Sequence, residues 1–365
     1  MSEWQTFCLK DLGKIVGGAT PPTNNPKNYG NKIAWITPKD LSTLQGRYIK
    51  KGSRSISRLG FKSCSCVLLP KHAILFSSRA PIGYVAIAEK RLCTNQDFKS
   101  IIPNKKIYFE FLYYLLKYHK NNLINMGEGT TIKGIYNIAL GLFKVKIPPT
   151  YYEQQKIART LSILDQKIEN NHKINELLHT LAYKIYEYYF KYKPKNAKLE
   201  QIIIENPKSS IMVKNAQKTQ DKYPFFTSGD NILSYPKAII DGRNCFLNTG
   251  GNAGIKFYVG KASYSTDTWC ICANEFSDYL YLLLSSIKNH INQSFFQGTS
   301  LKHLQKNLLK KYPIYMPSAH EIKKFNQIMM PLLTLISINT RTSKKLEQIR
   351  DFLLPLLLKQ QVKPQ

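Results

Sequence analysis

The chain has 365 residues, room for two ordinary domains with cores of their own, and carries 53 Lys and Arg against 23 Asp and Glu, a net charge of +30 that attracts polyanions. Its 23 Tyr and 43% hydrophobic content exclude a disordered basic tail. No apolar run reaches the roughly 18 residues that cross a bilayer, and the charge is spread along the chain, so neither a spanning nor a membrane-surface helix is expected.

The first 150 residues read as mixed, with strands dominant early. A short strand at 33–36 ends at Thr37-Pro38. Two apolar runs, 66–69 and 73–76, surround Pro70-Lys71-His72 and read as a hairpin. Strands follow at 84–88, after Pro81-Ile82-Gly83, and at 98–102, after the polar loop Thr94-Asn95-Gln96-Asp97. Residues 109–119 have helical spacing. A glycine-marked loop at 126–133 then leads to a short helix at 135–142 and a strand at 145–147.

Residues 151–192 read as one uninterrupted helix of roughly 60 Å. Alternating steps of four and three pick out Ile157, Leu161, Leu164, Ile168, Asn171, Asn175, Leu178, Ala182, Ile185, Tyr189 and Tyr192. That is a heptad seam, facing a partner helix. Asn171 and Asn175 interrupt it with polar groups, which read as a register lock.

Residues 194–317 repeat the order of elements. A loop opens at Pro194. Strands fall at 245–248, 255–259 and 269–272, and a helix at 277–290. The loop 297–302 precedes a short helix to Lys310, then Pro313 and Pro317. The seam returns at an offset of 168: Phe325, Met329, Leu332, Ile336, Asn339, Ser343, Leu346, Arg350, Leu353 and Leu357. Pro331 is expected to kink this second long helix or to mark its start. Gly129-Thr130-Thr131-Ile132-Lys133 matches Gly298-Thr299-Ser300-Leu301-Lys302, and Ile147-Pro148-Pro149 with Glu153 matches Met316-Pro317-Ser318 with Glu321. Two copies of one unit follow. The expected fold is α+β. Two similar mixed α/β domains, 1–150 and 194–317, are separated by two long helices, 151–193 and 318–365, that pair as an antiparallel coiled coil with a pseudo-twofold internal repeat.

Catalytic motifs are missing. The glycine run 249–254 follows a strand but is not G-x-G-x-x-G. There is no P-loop, H-E-x-x-H or G-x-S-x-G, and no N/D-P-P-Y/F loop to hold an extruded base. The histidines are scattered, and few acids are available for metal-dependent nuclease work. Seven cysteines, an odd number, follow a polar start, which reads as reduced thiols in the cytoplasm. Cys64/Cys66 and Cys270/Cys272 lack metal-site spacing and read as core. A non-catalytic chain with no metal or cofactor of its own is expected.

DNA recognition needs cations for phosphates and amide, hydroxyl or guanidinium groups for base edges. In the first domain the loops offer Thr37, Lys39, Arg47, Arg54, Ser77, Ser78, Arg79, Asn95, Gln96 and Lys133. In the second they offer Lys222, Thr227, Ser228, Asn231, Asn248, Asn252, Lys256, Thr266 and Lys302. Each alone is an ordinary solvated loop residue; the collective signal is stronger. Two such domains on a rod would read two DNA segments across an unread gap.

Five stretches stand out: Leu9-Lys10-Asp11-Leu12-Gly13-Lys14-Ile15 with Gly17-Gly18-Ala19-Thr20-Pro21, Trp35-Ile36-Thr37-Pro38-Lys39-Asp40-Leu41, Thr94-Asn95-Gln96-Asp97-Phe98, Gly129-Thr130-Thr131-Ile132, and Ile147-Pro148-Pro149 leading to Glu153-Gln154-Gln155-Lys156-Ile157-Ala158. In these the chain resembles the specificity (S, HsdS) subunits of type I restriction–modification systems. The second copy keeps Gly298-Thr299-Ser300-Leu301 but lacks the Glu-Gln-Gln run where its helix begins. The resemblance implies two target recognition domains, each reading half of a bipartite duplex site. It also implies paired helices that dock two modification subunits and, through them, the restriction subunits. S-adenosylmethionine, ATP and Mg would belong to those partners. Tyr186, Phe190 and Leu354 read as exposed apolar flanks, so the isolated chain is expected to aggregate and to be rescued by the modification subunit. Two other classes remain: a basic scaffold that binds nucleic acid without sequence preference, and a self-contained DNA methyltransferase or nuclease.

Overall fold

The computed structural model describes residues 3–129, 133–216 and 222–364. The chain forms two compact units, Met1–Asn170 with Lys344–Gln365, and Asn171–Ser343. Each unit therefore takes part of both long helices.

In the first unit a five-stranded sheet has the order Gly13–Gly17, Lys99–Pro103, Ile74–Phe76, Val85–Ala88, Tyr48–Ile49. A three-stranded sheet holds Tyr29–Ile36 between Arg54–Ile56 and Cys93–Thr94. Ile74, Leu75 and Phe76 are all fully buried, which explains a continuous apolar run where alternation would mark a half-exposed strand. The hairpin partner of Ile74–Phe76 is Val85–Ala88, not the expected run at 66–69. There Leu69 makes only an isolated bridge to Leu92. The apolar character of that run serves burial of Cys66 and Leu69, not a ladder. The helix Phe109–Tyr118 buries Phe111, Leu112, Tyr114, Leu115 and Leu116. The strand expected at 145–147 forms as Lys144–Ile147; it pairs with Gln5–Cys8, which the sequence pattern did not signal, and leads into the first long helix.

That helix runs Tyr151–Tyr186 and ends in a π turn, Glu187–Lys191. Thr150 caps its start: Thr150 Oγ1 accepts from the Glu153 amide (3.2 Å) and donates to the Glu153 carboxylate (3.0 Å). Gln154, 1% exposed, accepts from the Tyr108 amide (2.7 Å) and donates to the carbonyls of Lys106 (3.0 Å) and Pro148 (3.3 Å). It welds the helix to the sheet domain. Ile157, Ala158 and Leu161 share a core with Leu354, Leu357 and Leu358 of the second long helix, and Arg350 pairs with Asp165 at 2.6 Å.

The second unit repeats the plan. Its four-stranded sheet has the order Ile204–Glu205, Thr268–Cys272, Arg243–Asn248, Ile255–Val259. Its three-stranded sheet holds Tyr223–Phe226 between Leu233–Tyr235 and Ser263–Tyr264. The helix expected over 277–290 is two, Ser277–Ser286 and Lys288–Ser294. The second long helix runs Ala319–Leu358 without a break at Pro331, contrary to the expectation of a start there. Its true start is the capping box Ser318–Glu321. Proline removes the amide that would serve the Gln327 carbonyl, but Gln327 and Pro331 are both exposed, so water can serve instead.

The polar seam residues meet within the second unit. Asn171 donates to Ser343 Oγ (3.2 Å), Asn339 donates to Asn175 Oδ1 (3.0 Å), and Asn175 donates to Thr340 Oγ1 (3.3 Å). Numbers rise on one helix as they fall on the other, so the helices are antiparallel. Along the seam Ile157, Leu161, Ile168, Phe325, Met329 and Ile336 are buried; Leu164, Leu178, Ile185, Leu332, Leu346 and Leu353 are half-buried, as are Asn171 and Asn339. Tyr192 lies beyond the helix and is exposed. Tyr186, Phe190 and Leu354, expected as exposed flanks, are buried. The helix ends run into the domains, where Tyr279 and Phe325 cover Tyr186 and Phe190, and Leu354 joins the first unit's core.

Candidate nucleic-acid interface

In the first unit Tyr29–Ile36 and its parallel neighbour Cys93–Thr94 end together, Ile36 beside Thr94. Their continuing loops therefore emerge side by side, tied by the Asn95 amide on the Ile36 carbonyl (2.9 Å). The loop after Thr94 closes on itself. Asn95 donates to Asp97 Oδ2 (2.6 Å), and its Oδ1 accepts from the Asp97 amide (3.2 Å). The Asp97 carbonyl takes the amide (2.7 Å) and hydroxyl (3.0 Å) of Ser78, and its carboxylate pairs with Arg79. Gln96 is held by Thr20 and is exposed. Gly18 lies under this turn, where a Cβ would stand 2.1 Å from the Asn95 carbonyl oxygen. Only glycine allows the approach.

Further cations border the turn. The Ile135 amide reaches the Ser78 carbonyl (2.9 Å) and Gly134 bridges Arg79, which brings exposed Lys133 alongside. Residues 130–132 of its motif lie outside the described residues. Lys39 is exposed on the short helix that Thr37 opens, and Arg54 is exposed on the edge strand opposite Trp35. Lys99, the first residue of the strand after the turn, has its pKa lowered by burial and by Arg79. Thr37, Ser78 and Asn95 are spent on the framework: Thr37 caps its helix with Asp40, while Ser78 and Asn95 are buried.

Arg47 does not belong to this surface. It is 3% exposed, its guanidinium 2.9 Å from Glu110 and 3.1 Å from Glu169 of the first long helix. It holds the domain on the helix. The second unit has a counterpart that sequence reasoning missed, Arg243, which grips Asp278 with both branches (2.6 and 2.7 Å) and donates to Thr334 of the second long helix (3.0 Å).

The second unit builds the equivalent loops with other side chains. Tyr223–Phe226 and Ser263–Tyr264 end together, and the Ser265 amide reaches the Phe226 carbonyl (2.9 Å). Ser265 and Thr268 close the turn hydroxyl to hydroxyl (3.0 Å). The Asp267 carbonyl accepts from Thr249 Oγ1 (2.8 Å) and from Ser228. Lys256 Nζ donates to the Thr227 carbonyl (2.9 Å) and to Asn248 Oδ1 (3.1 Å), while Asn248 Nδ2 reaches the Asn252 carbonyl (3.1 Å). These bonds end on neutral oxygens; burial lowers the Lys256 pKa, against the pull of the Asp230 carboxylate. The Gly251 amide on the Lys302 carbonyl (2.9 Å) adds the 298–302 loop. There Gly298 has φ +140°, a conformation L side chains rarely adopt. Asn252, Lys302, Asn231 and Lys222 are exposed, and Thr266 is half-buried. Thr227 and Asn248 are buried framework.

Each unit thus presents a hydrogen-bonded loop cluster with cations and amides around it. Asp97 and Asp267 organise the clusters. Neither is among the residues that the sequence offered for DNA contact; Asp97's place in the polar run Thr94–Asp97 was the available signal. Among the described residues no group of three or more His, Cys, Asp or Glu is placed to hold a metal ion.

Comparison with known proteins agrees over the whole length. The pattern of the type I restriction modification DNA specificity domain matches twice, at residues 1–180 and 195–348. The type I restriction enzyme MjaIX specificity subunit of Methanocaldococcus jannaschii is 31% identical over 403 residues, covering 98% of this chain and 93% of that one. The HindI specificity subunit of Haemophilus influenzae is 33% identical over 114 residues, 31% of this chain and 24% of the relative. The crystal structure of the type I restriction–modification S subunit from M. genitalium shares the fold, with a TM-score of 0.64 at 18% identity over 97% of this chain and 96% of that one.

Proposed function

The chain belongs to the type I restriction–modification DNA specificity family, and from that premise we propose how its parts divide the work. It is a specificity subunit, the sequence-reading component of a type I complex. Each loop cluster reads one half of a bipartite duplex site. In the first unit Gln96 and Arg79 face base edges, and Lys39, Arg54, Lys99 and Lys133 take phosphates. In the second, Asn252, Thr266 and Asn231 face bases, and Lys222, Lys256 and Lys302 take phosphates. The long helices set the gap and dock two modification subunits, with restriction subunits joining through them. Methyl transfer with S-adenosylmethionine, and cleavage with ATP and Mg, reside in those partners.

One observation carries the reading: the family pattern occurs twice, and each occurrence contains one loop cluster on equivalent strands. Mapping of methylated adenine in cells with and without this gene, the modification gene present in both, tests it. A split motif that appears only with this chain is expected, and exchange of residues 1–150 should alter one half alone. Methylation that is the same without the chain would refute the proposal. Retention on specific duplex over random DNA at physiological salt separates it from a non-specific basic scaffold, whose affinity collapses with salt.

A further inference from the structure

Beside each seam runs a second stripe, made of the residues that immediately precede seam positions. Within Asn171–Ser343 this stripe is apolar and exposed: Ile174, Leu177 and Leu181 on the first long helix, Ile328, Leu335 and Ile338 on the second. Leu177 is 71% exposed. A twofold axis normal to the plane of two antiparallel helices keeps each flank on its own side of that plane. The Asn171–Ser343 and Asn175–Asn339 bonds make the pair antiparallel, so the two stripes border one face. Six exposed aliphatic side chains on one face are not the solvent side of an ordinary amphipathic helix.

The charges in the same stripes are cationic. Lys184 precedes Ile185 and Lys324 precedes Phe325, both exposed; the carboxylate of Glu321 is occupied in its capping box. The complement of such a face is an amphipathic helix with an aliphatic stripe and flanking carboxylates, laid along the groove.

The first unit keeps only a reduced version of this face. At the offset of 168, Leu177 becomes Lys345, Leu335 becomes Lys167, Ile338 becomes Asn170 and Ile328 becomes Thr160. Only Leu181 keeps an apolar counterpart, Ile349, joined there by exposed Ile163 and Phe352.

We infer that the two docking seats are unequal. The inference rests on the reading that the helices dock two modification subunits. The helix stretch of Asn171–Ser343 is the tight seat for an acid-flanked helix of that subunit, the stretch of the other unit is the weak one, and the subunits load in that order.

The test is native mass spectrometry of the purified complex with its modification subunit, over a dilution series. The complex should pass from two copies to one, and cross-linking should place the remaining copy on the second unit. Leu177→Glu combined with Ile338→Glu should weaken the first binding step at least about tenfold. Phe352→Glu should weaken the second step alone. Lys184→Glu should weaken the first step with no apolar area removed. All four positions are exposed, and unchanged helical circular dichroism would verify folding. Two copies leaving with one constant, or Phe352→Glu affecting the first step as strongly as Leu177→Glu, would overturn the inference. Absence of any modification subunit on the wild-type chain would instead remove the docking reading beneath it.

Discussion

Glu110 and Asp278 stand 168 residues apart, each in the first turn of the helix behind its sheet, and each holds an arginine, buried Arg47 and half-buried Arg243, that also bonds a long helix. Arg47 serves two carboxylates at once, so its removal leaves both in a poorly solvated place. Arg47→Ala should cost about 3–5 kcal/mol, read as a lowered urea midpoint. Exposed cations on the rim have no such role: Lys133→Ala should leave the midpoint unchanged. Residue type alone does not separate the two kinds of cation. Arg47 looked like a phosphate ligand because its partners lie 63 and 122 positions away, beyond any local pattern. Asn95 and Asn248 misled in the same way: a loop amide facing a base and one closing its own turn are the same letter.

At the scale of the element, the capping and seam devices carry measurable consequences. Asp40 caps the short helix Pro38–Ser42 and takes the Ser53 amide (2.7 Å), tying two loops of the first cluster. Burial pulls its pKa up, but the hydrogen bonds from Ser53 and Thr37 outweigh burial and hold it below the ordinary carboxylate value. The folded value is the lower one, so the stabilisation is present above about pH 4 and is lost as pH falls through the folded pKa. Denaturation midpoints across that window should fall for the wild type more steeply than for Asp40→Asn. In the seam, Asn175→Ala should cost about 1 kcal/mol, because Asn339 loses its acceptor. The double change Asn175→Leu with Asn339→Leu should raise the melting temperature, since a matched apolar pair needs no hydrogen bonds. These helices were legible because a seven-residue period leaves its mark in one dimension. Of the ribbon Gln5–Cys8 with Lys144–Ile147 only the second strand was legible, because the first is four residues long and its partner lies across most of the domain. Pro331 misled because a proline facing water costs a helix less than one facing the core.

For the molecule as a whole, the repeat at an offset of 168 was the most readable feature, since two copies check one another. The same-end emergence of the loops was unreadable, because it depends on parallel pairings, Trp35 with Cys93 and Phe225 with Ser263, that no local signal marks. The net charge of +30 makes affinity for duplex fall steeply with salt. Lys133→Ala and Lys302→Ala should each lower the slope of log affinity against log salt by about one without changing sequence preference. A preference altered at one base position would assign that lysine to base reading.

The core of the first unit contains Leu354, Leu357 and Leu358, almost two hundred residues beyond the Ile157, Ala158 and Leu161 they touch. The first domain therefore cannot finish folding as it leaves the ribosome; it waits, its apolar floor open, while the whole second domain is synthesised. A nonsense codon just after Ser343 would damage the beginning of the protein more than the part beside the break. Limited trypsin digestion of such a truncation should cut first within residues 1–150 and leave 194–317 the longer-lived fragment.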